Sequence, residues 1–272
     1  MSAAATPPAA VSAPLLDVLS DLECPGCTGC AWPGVVRYGP AACADCGHEV
    51  ELLPGLIRLR GSAAAPEGIS QRLMHAKPVV SIYERAWRPA ITWAASGLSY
   101  RDEMAFLQTH LPTDPASRLV DWCCGTGLHG RVVAERLRTP RIIVGVDASA
   151  PMARTAAGRA VDEGRHNQVI VEADLHQMKS RRSFTGGFCF AALHLLHDQP
   201  RALSHMARSL APGSPFLCFT LYRPTDGAGV GRRVGIRAET REHVEEMFAA
   251  AGLEVRDVQA SGRALLLHSR RV

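Results

Sequence analysis

The stretch LVDWCCGTGLHG, residues 119–130, decides the fold of this chain. An apolar run ending in Asp121 predicts a buried parallel strand, which is covered on both faces and so does not alternate in polarity. Gly125-Thr126-Gly127 predicts the tight turn after it, and Val132, Val133 and Leu137 follow at helical spacing. Strand, glycine turn and helix in that order bring backbone close to a nucleotide-like ligand at a helix N-terminus. About 20 residues further on, residues 142–146 predict a second strand that delivers Asp147, whose carboxylate can take two ribose hydroxyls. Alone, such a turn is weak support, because many α/β proteins need one only to turn the chain.

Its context is more specific. VGVDASAPM (residues 144–152), EAD (172–174), FAALHLLHD (190–198) and RSLAPGSPFLCF (208–219) follow in order. From residue 119 to residue 272 this succession resembles class I S-adenosylmethionine-dependent methyltransferases, and within them the quinone-type, small-molecule enzymes. The resemblance implies an α/β, Rossmann-like seven-stranded sheet. It also implies that S-adenosylmethionine is held by Asp121, Cys123, Gly125, Gly127, Asp147, Ala148, Met152, Asp174, Leu175 and Ala191. Asp121 would orient the amino group or organise the turn, Asp147 would hold the ribose, Asp174 and Leu175 would frame the adenine, and Met152 would pack on the base. Met152 as plain core filling is the alternative.

Two departures stand against the family pattern. Cys123 occupies the place of its first glycine, although some quinone-type members also read Cys-Cys-Gly-Thr-Gly there. In SFTGG (residues 183–187) Thr185 replaces the usual aspartate, and Lys179, Arg181 and Arg182 replace an acidic turn. These changes weaken the expectation of catalysis more than that of cofactor binding.

At 272 residues, 47% apolar and 21% charged, the chain can bury a full core without staples. No apolar run approaches the ~20 residues that span a bilayer. The opening MSAAATPPAAVSAP has neither a basic start nor an apolar centre, so residues 1–20 are expected to be a disordered tail and the protein cytoplasmic. The net charge of +4 is modest and the arginines are scattered, which solvated surface explains without nucleic acid. Nine cysteines in a reducing compartment point to metal rather than disulfides. Cys24-x2-Cys27 and Cys43-x2-Cys46 have zinc-ribbon spacing, and four thiolates leave no open position, so a structural Zn2+ is expected in a ribbon over residues 21–60. Cys30 could replace Cys27.

Residues 61–75, rich in small residues at their start, read as a linker, and residues 76–115 as a helical cap interrupted at Pro89. The resemblance implies that residues 116–272 are the methyltransferase domain, closing with a helix capped by Thr240 and stopped by Gly252, then two strands. In the cap, YERAWRPAI (residues 83–91) places Tyr83 and Trp87 as candidate substrate contacts; packing of Tyr83, Trp87 and Trp93 onto the sheet is the alternative.

Methyl transfer from a sulfonium needs alignment and, for some acceptors, removal of a proton, so few catalytic residues are expected. His194 and His197, at the C-terminal edge of strand four, are candidate bases, and Tyr222 is a candidate pocket wall. The reading is methyl transfer to a small organic acceptor. Its alternatives are a methyltransferase fold that catalyses cyclisation or rearrangement, a ribosomal RNA methyltransferase, and a non-catalytic binding module. Against RNA, Lys77 and Lys179 are the only lysines. The acceptor atom and the oligomeric state stay open.

Overall fold

The computed structural model describes residues 10–29, 32, 34–59, 69–136, 142–224 and 235–272. In chain order these form α1 (Ala13–Asp21), β1 (Gly39–Ala42), β2 (Glu49–Leu53), β3 (Leu56–Leu59), α2 (Ile69–Met74), α3 (Lys77–Ile82), a π-helical turn (Tyr83–Trp87), α4 (Arg88–Ser96) and α5 (Tyr100–His110). There follow β4 (Arg118–Trp122), α6 (Leu128–Arg136), β5 (Ile142–Asp147), α7 (Ala150–Asp162), β6 (Gln168–Glu172), β7 (Gly186–Phe190), a short 3-10 turn (Leu193–Leu195), α8 (Gln199–Arg208), β8 (Pro215–Leu221), α9 (Arg241–Ala250), β9 (Leu253–Ser261) and β10 (Ala264–Arg271).

One sheet orders them β1-β2-β3-β6-β5-β4-β7-β8-β10-β9. The seven strands from β6 to β9 are the expected Rossmann-like unit: five parallel strands, with β10 inserted antiparallel between β8 and β9. Side chains alternate between its faces. Val120, Trp122 and Cys189 join the core beneath α1, α8 and α9, whereas Leu119, Phe188 and Phe190 join the core shared with α5 and α6.

Three expectations need correction. The sheet has ten strands, because β3 pairs parallel with β6 and draws the N-terminal hairpin into the same layer rather than leaving a separate ribbon. Residues 13–20 are not a tail. Leu15, Val18, Leu19 and Leu22, spaced for one helical face, are buried against the β2, β3 and β6 side chains. Asp17 and Asp21 on the same helix pair with Arg118 at 2.9 and 2.7 Å and with Arg182. Finally, Pro89 does not interrupt the cap. The wider π turn just before it lets helix continue into α4, and Pro89 stands in the first turn of α4, where its missing N–H costs least. The end of the expected linker is helical as α2. The calls on residues 1–9, Cys30, residues 61–68 and Leu137 lie outside the described residues.

Leu15 is fully buried. Leu15→Ala is expected to cost about 3 kcal/mol of stability, read as a lowered urea midpoint, whereas a residue in a loose tail would cost nothing.

Candidate functional site

The site begins where β4 ends. Cys123 takes φ +57°, a left-handed backbone that favours glycine, and Gly125 and Gly127 follow at +56° and +74°. A Cβ at Gly127 would stand 2.9 Å from that of Ala156, so the turn lies directly on α7. Asp147, at the end of β5, is locked by the same turn: Gly125 N–H donates to its Oδ2 at 2.7 Å and Ser149 N–H to its Oδ1 at 2.8 Å. Burial raises its carboxyl pKa against these two hydrogen bonds.

A cavity of about 180 Å³ opens here, along the C-terminal ends of β4 to β7. Eight of the ten expected cofactor residues line it: Cys123, Gly125, Asp147, Ala148, Met152, Asp174, Leu175 and Ala191. Two do not. Gly127 faces α7, and Asp121 is buried beneath the turn with Oδ2 unpartnered among the described residues. Burial, and next the charge of Asp147, push the Asp121 pKa well above the ordinary carboxylate range. Sequence reasoning missed Met74 and His75, which reach the cavity from the end of α2, inside the expected linker.

A second cavity, about 120 Å³, adjoins the first across Met74, Tyr83, Ala191 and Leu195. Tyr83 and Trp87 line it, together with Ile91, Phe219 and Leu221. Trp93, by contrast, is 68% exposed and packs nothing onto the sheet. The cap is fastened beside these cavities by Glu84. Its carboxylate accepts from Thr126 Oγ1 at 2.5 Å and from Arg131 Nη2 at 2.9 Å. Burial works against its ionisation, but Thr126 and Arg131 hold its pKa below the usual range. Arg88 is buried next to it, donating to Glu103 at 2.8 Å.

The catalytic candidates separate. His194 lines the second cavity, and its Nδ1 accepts from Leu221 N–H at 3.2 Å. Burial, with Arg88 adding repulsion, pulls its pKa down to about 3, so the ring is neutral near pH ~7. His197 is exposed beyond the 3-10 turn, and Tyr222 packs against the core and borders neither cavity. Both are corrections. Three residues from His194, the turn has already carried the chain out of the cleft.

The four expected metal ligands do come together. The sulfurs of Cys24, Cys27, Cys43 and Cys46 all lie within 4.8 Å of one another, with Cys24–Cys46 at 3.6 Å and Cys27–Cys43 at 3.7 Å. Tetrahedral coordination at ~2.3 Å per bond sets sulfurs ~3.8 Å apart, so the cluster fits a metal ion. Burial opposes ionisation of Cys43, but hydrogen bonds from the Asp45 and Cys46 amides, and then from the Cys27 and Cys24 thiols, bring the thiol down to about 7.

The low pKa of His194 has a measurable sign. Between about 6.5 and about 3 the unfolded chain binds a proton that the folded chain refuses, so stability falls as pH drops through that window. His194→Leu is expected to flatten that slope in urea midpoints taken across pH.

Comparison with known proteins agrees with this geometry. Residues 119–213 match the family model described as a methyltransferase domain. Demethylmenaquinone methyltransferase of Lactiplantibacillus plantarum is 30% identical over 122 residues, 43% of this chain and 49% of the relative, so the chain spans about half the length of the curated relative it matches. Similar solved structures include geranyl diphosphate C-methyltransferase from Streptomyces coelicolor A3(2) with S-adenosyl-L-homocysteine (TM-score 0.56, 17% identity, 63% of this chain, 76% of that one). The cyclase SpnF (TM-score 0.56, 19% identity, 62% and 80%) and a SAM dependent methyltransferase from Aquifex aeolicus (TM-score 0.56, 13% identity, 72% and 99%) share the same fold. Residues 119–213 thus match a methyltransferase-domain family model, and the chain shares its fold with solved methyltransferases.

Proposed function

We propose that the protein transfers a methyl group from S-adenosylmethionine to a small organic acceptor. One observation carries this reading: the cavity that ends on Asp147 and Asp174 shares a wall with a second, more apolar cavity lined by the cap. The first cavity offers carboxylates to a ribose and the neighbourhood of an adenine, with Met152 and Leu175 as apolar sides. S-adenosylmethionine, when bound, supplies an activated methyl: the carbon–sulfur bond breaks with its pair staying on sulfur, and the acceptor supplies the pair for the new bond. Tyr83 and Trp87 shape the acceptor's side and, with the cap, exclude water. The name of the demethylmenaquinone relative supports an acceptor of quinone-like or secondary metabolism. We assign a structural zinc ion to the four cysteines, and a cytoplasmic setting is in keeping with the free thiols found throughout the described residues.

Calorimetry with S-adenosylhomocysteine tests the reading, and a turnover product heavier by one methylene confirms transfer. A converted acceptor of unchanged mass would mark a rearrangement instead. Asp147→Asn is expected to weaken S-adenosylhomocysteine by tenfold or more, about 1.5–3 kcal/mol for hydrogen bonds to a charged group. Purified protein is expected to carry one zinc per chain by elemental analysis, and Cys43→Ser to lose it along with several degrees of melting temperature.

A further inference from the structure

The second cavity holds a polar arrangement that the reading above does not use. Leu221 N–H donates to Nδ1 of His194, which therefore carries no hydrogen and leaves it on Nε2. Thr220 Oγ1, at 3.4 Å, stands on the same Nδ1 side. Nε2 has no hydrogen-bond partner among the described residues, in a ring that lines the cavity. Around it the titratable lining residues are Tyr83, from the π turn, and Arg88, from α4; among the described residues no carboxylate lines this cavity. Arg88 is ion-paired to Glu103, yet its charge still lowers the pKa of His194; burial, and after it the charges of Asp147, Glu103 and Glu84, raise that of the Tyr83 hydroxyl against Arg88. The hydrogen-bonding edge that His194 turns to the cavity is thus a donor.

We propose that this cavity receives the acceptor as a ready-formed oxyanion, the phenolate or enolate of an acidic hydroxyl, with Nε2–H of His194 donating to the oxygen, Arg88 supplying the compensating field, and no general base on the protein. This rests on the second cavity being the acceptor's. The proton balance then closes without the enzyme: the hydroxyl gives its proton to water before binding, the oxyanion supplies the electron pair for the new oxygen–carbon bond, and neutral ether leaves. His75, Asp147 and Asp174 belong to the first cavity, where Asp147 is already tied to two backbone amides.

The probe is 4-nitrophenol, whose ionised form absorbs in the visible, titrated against pH with saturating full-length protein and no cofactor. Bound 4-nitrophenol is expected to ionise at least tenfold more readily than free, a downward shift of about one unit. His194→Gln, which keeps a side-chain N–H, is expected to retain the shift, and His194→Leu to lose it, with S-adenosylhomocysteine binding unchanged in both. An unshifted or raised ionisation, a failure of wild-type protein to bind the probe, or a Leu variant equal to wild type overturns the proposal. Should His194→Leu lose S-adenosylhomocysteine as well, it is misfolded, and the wild-type shift with its retention in the Gln variant decides. If wild type ignores S-adenosylhomocysteine, the methyltransferase reading fails by itself, while the probe measurement, made without cofactor, still decides this one.

Discussion

Burying the carboxylate of Glu84 is unfavourable unless its oxygens are occupied, and the groups that occupy them belong to the glycine turn, to α6 and, through Arg159, to α7. Thr126 lies between the two turn glycines, and Arg131 also donates to the carbonyl of Thr126. One charged group from the cap therefore ties the π turn to the glycine turn and to α6. Tyr83, its neighbour, is carried over Gly125 by the same anchor, and a Cβ on that glycine would touch the tyrosine ring. Tyr83 of this π turn stands in the wall that the two cavities share.

The strand ends that form the floor depend on tolerated strain. Cys123 and Ala191, at the ends of adjacent strands β4 and β7, both adopt positive φ, at +57° and +58°. Side chains in that region cost about 1–2 kcal/mol each and persist where surroundings over-determine them. Both residues line the first cavity, so the distortion sits where backbone meets ligand rather than at random. The cysteine in place of glycine is thus housed, with its thiol driven well above the ordinary range by its contact with Cys189 and by burial.

Much of this was legible in local sequence. The run through Asp121, the glycine turn and Asp147 form contiguous elements whose period and punctuation show themselves, and the cysteine pairs announce a cluster through spacing alone. What escaped depends on distant partners. β3 reads as a strand, but nothing in VELLPGLIRL tells that it pairs with β6, over 100 residues away, since Arg58 meets Glu172 at a separation of 114. Helix α1 was hidden by a Pro- and Ala-rich opening, although Leu15, Val18, Leu19 and Leu22 carry the periodicity that would have found it. His194 and His197 look equivalent in sequence. Only the direction in which the 3-10 turn leaves the sheet separates a buried donor from a surface side chain.

The pairing of β3 with β6 also constrains how the chain is made. On the ribosome, the hairpin of β2 and β3 emerges long before β6 exists, with apolar Ile57 and Leu59 bound for an interior not yet synthesised. The four cysteines, on the loop after α1 and in the turn between β1 and β2, are all synthesised before that pairing can form, so their cluster can order this end of the chain ahead of the sheet that later receives it.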